Sequence, residues 1–311
     1  MIRVRPPSLQ LPFDLARWAF EETLRGGLPP DEPEILRFLG GLGWRFEQRL
    51  TPARAQLMAE EVRRTFGGSA RAAGAILREA QDLALQARME ALVLPRMGEA
   101  HLDQMVRVEG LLAPPALLLY PHAGHVLLLL ATLARRWPGV VVFGPRPLLP
   151  PECGAATRVT RRLAEKRAED EARLPVRWES DPAAIPGWLA RGYLVAAAFD
   201  DRAWTSYVRV PFLDREALLS PDPYRIARDA GVPLLTATIH RERDKVSRVV
   251  IGTRIEPELR AYLAHVEPFL RAHPGHYARW LAECRMRAGV DDRPLFPDAA
   301  PDRRWAHWPA A

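Results

Sequence analysis

Cysteine and lysine are scarce in this chain. Cys153 and Cys284 are the two cysteines of 311 residues, and Lys166 and Lys245 the two lysines. Two cysteines make no disulfide framework, and a reducing cytosol is the simpler setting. Cys153 follows Pro-Glu, with no neighbour that would activate a thiolate. Long clean apolar runs are missing as well. The most apolar window, 111–133, is broken by Pro114, Pro115, Pro121 and two histidines, short of the roughly 20 apolar residues of a spanning helix. The opening MIRVRPPSLQLPFDLARW holds no uninterrupted apolar stretch, so no signal peptide is read there. The expectation is a cytoplasmic protein, soluble or peripheral on the inner face of the cell membrane.

Other absences remove whole enzyme classes. No Gly-rich phosphate loop of the Walker or dinucleotide type occurs. Gly67-Gly68-Ser69-Ala70-Arg71 lacks the final glycine of a nucleophile elbow. His122 and His125 have no third ligand and no His-Glu-x-x-His pattern beside them, so neither a metal nor another cofactor is expected. No basic strand is interleaved with aromatics, which argues against nucleic acid as a partner.

What is present is a core. Hydrophobic residues make up 48% of the chain, enough for one large domain or two modest ones. The net charge of +6 suits anionic partners. Residues 1–105 read as a helical N-terminal section, with helices over 15–25, 51–68 and 71–94; Gly67-Gly68 stops the second. From 106 to 290, short β-rich runs alternate with helical stretches. Strands are expected at 116–120, 139–144, 175–179, 194–199, 233–241 and 247–255, the last two as a hairpin around Arg243-Asp244. Helices are expected at 126–136, 155–172, 182–191, 221–230 and 256–272. Alternation of this kind predicts an α/β fold: a mixed, largely parallel sheet flanked by helices. Residues 291–311 read as an irregular Pro-rich tail, whose Trp305 and Trp308 dock on the body or touch a lipid surface.

In a sheet of this class, ligands collect at the carboxyl ends of strands. His122 follows the first strand of the series, Arg146 the second, and Asp200 and Asp201 the strand 194–199. These groups are distant in sequence and emerge on one edge. Each has a plain structural reading too: a turn histidine, a turn aspartate, or, for Arg158 to Arg167, a solvated helix face with i,i+4 pairs.

The ordered set resembles the lipid A late acyltransferase family, within the glycerolipid acyltransferase superfamily. That family has a strand followed by His-x-Gly-Asn-Trp-Glu; here the place is held by His122-Ala123-Gly124-His125-Val126-Leu127. Its Tyr-Arg-Pro element is similar to Gly144-Pro145-Arg146-Pro147. Its Arg-rich helix resembles 158–167, where Arg161 matches a functional arginine by ungapped spacing. A strand ending in Asp-Gln corresponds to Asp200-Asp201, and Val-Pro-Phe-Phe-Gly to Val210-Pro211-Phe212-Leu213-Asp214. A late His-Pro, Tyr, Trp pattern resembles the run from His273 to Trp280. The match covers about 40–290 in order.

The resemblance implies transfer of a fatty acyl group from acyl carrier protein or acyl-coenzyme A to a lipid or glycolipid hydroxyl, at the membrane surface. By it, His122 is the base, Arg146 and Arg161 hold phosphate or the carrier, and Asp200 assists the histidine or the acceptor. His125 and Asp201 fall beside the substrate, and His125 reads equally as a structural or helix-capping residue. The chain departs from the family at one point: the acid that orients the imidazole is replaced by Leu127. Asp200 or Asp201 could supply that carboxylate from the next strand. The histidine could work unassisted, at a loss of about 10²- to 10⁴-fold. Or the chain could be a non-catalytic binder of acyl chains or acyl carrier. A carboxylate within hydrogen-bond reach of His122 favours catalysis, and an apolar shell favours binding alone.

Overall fold

The structure, a computed structural model, describes residues 52–94, 99–137, 139–144, 176–242, 246–252, 254–287 and 294–297. The expected helices at 15–25 and 155–172, the hairpin tip Arg243-Asp244, and Trp305 and Trp308 lie outside the described residues.

Helices α1 (Pro52–Phe66) and α2 (Ala70–Val93) come first. Gly67 and Gly68 between them both take positive φ, 71° and 88°, the left-handed conformation that ends a helix without Cβ strain. Ser69 then caps α2, its hydroxyl accepting from the Ala72 N–H at 3.2 Å. A short α3 (Glu99–Met105) runs into β1 (Val106–Glu109). The alternating part follows: β2 (Ala116–Tyr120), α4 (Val126–Arg136), β3 (Val140–Phe143), β4 (Arg177–Glu179), α5 (Ile185–Ala190) and β5 (Leu194–Ala198). Next come the hairpin β6 (Val208–Phe212) and β7 (Arg215–Leu219), then α6 (Asp222–Asp229), β8 (Leu234–Arg241), β9 (Ser247–Ile251), α7 (Leu259–Ala272) and α8 (Pro274–Arg287).

Seven strands form one sheet in the order β1-β9-β8-β2-β5-β3-β4. The five from β8 to β4 are parallel to one another. β9 runs antiparallel to β8, and β1 parallel to β9. The sheet is therefore mixed and largely parallel, as the alternation predicts. The central strands are buried on both faces, which is why they read as unbroken apolar runs. Leu117 and Leu119 point into one core cluster, Leu118 and Tyr120 into the other. Each such leucine contributes about 1.5–3 kcal/mol by leaving water.

Helix α4 packs on one face through Leu128 to Leu133, and α5, α6, α7 and α8 on the other. Helices α1 and α2 join the body through a third cluster, where Met58, Val62 and Leu77 meet Ala278 and Ala282 of α8. Beside it, buried Glu61 pairs with Arg215 of β7, which also bonds Thr65 at 3.0 Å.

The strand order defines a switch point, where a sheet of this class forms a crevice. From β2 the chain leaves through α4 toward β3; from β5 it leaves through α6 toward β8, on the opposite side and over the opposite face. Adjacent strands whose connections diverge define a switch point, and the space at their carboxyl ends is not covered by either connection.

Candidate active site

Strands β2 and β5 are in register, Tyr120 opposite Ala198. The ladder continues one step, the Phe199 N–H donating to the Tyr120 carbonyl at 3.0 Å. Two residues past the paired positions lie His122 and Asp200. Parallel register alone thus brings a histidine and an aspartate 78 residues apart to one point of the crevice.

The turn after β2 is shaped by Gly124. Its φ is 70°, and a Cβ there would sit 2.4 Å from the Ile239 carbonyl oxygen. Only glycine lets this turn lie against β8. Its N–H donates to the His276 carbonyl at 3.0 Å, tying the turn to α8.

The His122 Nδ1 is 2.8 Å from Asp200 Oδ1. A carboxylate accepts and does not donate, so this contact puts the proton of a neutral imidazole on Nδ1 and the lone pair on Nε2. The backbone N–H of His122 also points at the carboxylate, 3.3 Å from each oxygen. Tyr277 of α8 donates its hydroxyl to Asp200 Oδ2 at 2.9 Å. Asp200 has no accessible side-chain surface, whereas the His122 side chain keeps 24% of its own. The carboxylate is enclosed and the imidazole reaches the crevice. Trp280, one turn beyond Tyr277, stacks on the imidazole at 3.9 Å between centroids and 21° between planes. One ring face is fixed by the indole and one edge by Asp200, so the orientation of Nε2 is defined.

Four buried tyrosines surround this carboxylate. Burial first, then the negative charge of Asp200, pushes Tyr224 and Tyr277 up. Burial also raises Tyr120, with Asp201 and Asp200 adding to it, and Tyr262, with Tyr224 and Asp200 adding to it. All four stay protonated, so Tyr277 remains a donor to Asp200.

The remaining expected site residues separate. Asp201 closes the turn after β5, its Oδ1 accepting from the Arg202 N–H at 2.5 Å and the Ala203 N–H at 3.2 Å. His125 stands at the N-cap of α4 but makes no side-chain cap bond. Its Nδ1 meets Glu90 of α2 at 2.7 Å, and Glu90 also pairs with Arg241 of β8. Burial works to raise the Glu90 carboxyl, but the hydrogen bond and charge of His125 and the charge of Arg241 outweigh it and hold the group below its usual range. With 10% of its side chain exposed, His125 joins α2, α4 and β8. Leu127 is partly buried against the α4 core, so no polar group is needed at that position. Arg146 and Arg161 lie outside the described residues.

Two site residues carried no assigned role in the sequence, Tyr277 and Trp280. Both stand in the run from His273 to Trp280, three apart, and that spacing puts them on one helix face. The missing signal was the helix itself. Among the described residues no group of three or more histidine, cysteine or carboxylate side chains is arranged to hold a metal ion. Among them, too, no helix is long and apolar enough to cross a membrane.

The arrangement can do one thing well. An Nε2 lone pair, backed by a buried carboxylate on Nδ1, accepts a proton from a hydroxyl or water placed in the crevice, and the carboxylate stabilises the cation that results. Compared with known proteins, the chain matches no family model and no curated sequence.

Proposed function

We propose that the chain is an acyltransferase, moving a fatty acyl group from a thioester of acyl carrier protein or coenzyme A to a lipid or glycolipid hydroxyl, with His122 as general base. The observation that carries this reading is the 2.8 Å contact between His122 Nδ1 and Asp200 at the β2–β5 switch point. The carboxylate absent at Leu127 has a replacement from the neighbouring strand. That favours catalysis over acyl-chain binding alone.

The steps follow from the geometry. The acceptor hydroxyl gives its proton to His122 Nε2 as its oxygen attacks the thioester carbonyl carbon. Asp200 stabilises the imidazolium through the Nδ1 hydrogen bond. The tetrahedral intermediate collapses, the C–S bond breaks, and the imidazolium returns the proton to the leaving thiolate. Products are the ester and the free thiol, and the histidine is regenerated. Arg146 and Arg161 are assigned to the phosphates of the carrier or acceptor on the resemblance alone. The net charge of +6 suits work at the cytoplasmic leaflet, where each Lys or Arg near anionic lipid contributes about 1 kcal/mol.

The test is direct. Purified protein is incubated with labelled acyl-carrier and acyl-coenzyme A donors and a lipid extract, beside His122→Ala. Transfer that vanishes in His122→Ala supports the reading. Absence of transfer with acyl donor still bound would establish the binding protein instead.

A further inference from the structure

A second feature lies on the α6 side of the sheet, an open groove of about 310 Å³ between β6 and the first turns of α6 and α7. Its floor is apolar: Val208, Val210, Tyr224 and Leu259. Val208 is one of two large hydrophobic side chains left exposed among the described residues. Around the floor stand three guanidinium groups, Arg225, Arg228 and Arg260, against one carboxylate, Glu258.

Those arginines are poorly neutralised by the fold. Arg225 comes no nearer than 4.0 Å to Asp222. Asp222 is already committed, accepting from the N–H and hydroxyl of both Thr205 and Ser206. Arg228 has a 3.5 Å contact to its sequence neighbour Asp229, and both side chains are more than 60% exposed, where an ion pair contributes at most about 1 kcal/mol.

An apolar floor with a cationic rim is complementary to a molecule that is apolar along its length and anionic at one end. The volume is at the low end of ligand sites. At roughly 30 Å³ per water-sized group it holds on the order of ten such groups. We infer that this groove binds a single medium-length fatty carboxylate, the chain on Val208, Val210 and Leu259 and the carboxylate between Arg225 and Arg228. The site is built from residues other than the His122–Asp200 pair, and the inference does not rest on the acyl-transfer reading.

Calorimetric titration of the whole protein with decanoate tests it, with decanol and acetate as the chain and head alone. Decanoate binds one to one. Val208→Asp, which puts a like charge on the floor, weakens it at least tenfold. The Arg225→Ala, Arg228→Ala double variant weakens decanoate about tenfold and leaves decanol unchanged. His122→Ala binds decanoate as the parent does. All the altered groove residues are exposed, and circular dichroism checks that the variants fold. Failure of the parent to bind decanoate overturns the proposal. So does acetate competing on its own, which would describe a bare anion site. Binding that survives Val208→Asp but is lost in His122→Ala would move the ligand to the crevice and overturn it too.

Discussion

At Asp200 one enclosed carboxylate serves two elements, bonding His122 through Oδ1 and Tyr277 through Oδ2. The two bonds have different consequences. Asp200→Asn keeps the volume but presents an amide to Nδ1, and the imidazole tautomer with its lone pair on Nε2 loses its support. Transfer should fall by about 10²- to 10⁴-fold with little change in KM. Tyr277→Phe leaves the His122 contact in place and removes one donor from a buried acceptor. It should cost about 1–3 kcal/mol of stability, with a loss of transfer of only about tenfold. Steady-state kinetics beside urea unfolding separate them, and equal activity losses would contradict the assignment. His122 and Asp200 were legible as strand-end residues because register follows from strand boundaries. Glu90 was not, since nothing in the Ala- and Leu-rich run of α2 marks which acid turns inward toward His125.

Elements with one dominant signal were read closely. The run Ala116–Tyr120 and the helix Val126–Arg136 have the expected limits, because apolar continuity and the Pro121 and Gly124 breaks coincide there. The hairpin β6–β7 was not read. Its two-residue turn is Leu213-Asp214, both at positive φ, 52° and 59°, where the usual signal is Asn-Gly. Pro211 inside β6 hid the strand further. Leu213 has no exposed surface, and burying it offsets a backbone cost of about 1–2 kcal/mol. The glycine of the β2–α4 turn has no such compensation. In Gly124→Ala the new methyl meets a backbone carbonyl at 2.4 Å, in a conformation already unfavourable for alanine. The variant should lose at least about 2 kcal/mol, read as a lower urea midpoint. Any correctly folded fraction should also show impaired transfer, since His122 is two residues away. An unchanged midpoint would mean that the turn does not press on β8 as described.

Across the whole molecule, β8, α7, α8 and α2 meet around three imidazoles. His240 and His273 stack at 4.5 Å, and His276 meets His273 edge-on at 5.5 Å. His276 Nε2 accepts the Arg241 N–H at 3.0 Å, which requires a neutral ring, and Glu79 stands 4.0 Å from its Nδ1. Burial, and then the neighbouring histidines, press His276 down to about 3. Burial also lowers His240, with Arg248 adding to it and Glu242 and Glu109 opposing, and lowers His273, with His240 adding to it. Below pH 6.5 the unfolded chain therefore takes up protons that the folded one refuses, so stability falls on acidification from 6.5, for His276 down to about 3. Glu90 and Asp222, both held low, add their losses only below about 4.5. Glu79, raised by burial and Asp82, works the other way above that value. From pH 6.5 to 5 the three imidazoles therefore lower stability on acidification, by up to about 1.4 kcal/mol per pH unit for each proton. His276→Gln keeps an acceptor for Arg241 and removes one titrating group. Its unfolding free energy, measured by urea at steps from pH 7 to pH 5, should decline less steeply than the parent's by close to one proton. A slope identical to the parent's would show that His276 is protonated in the folded protein, and that the junction of α8 with β8 is open to water.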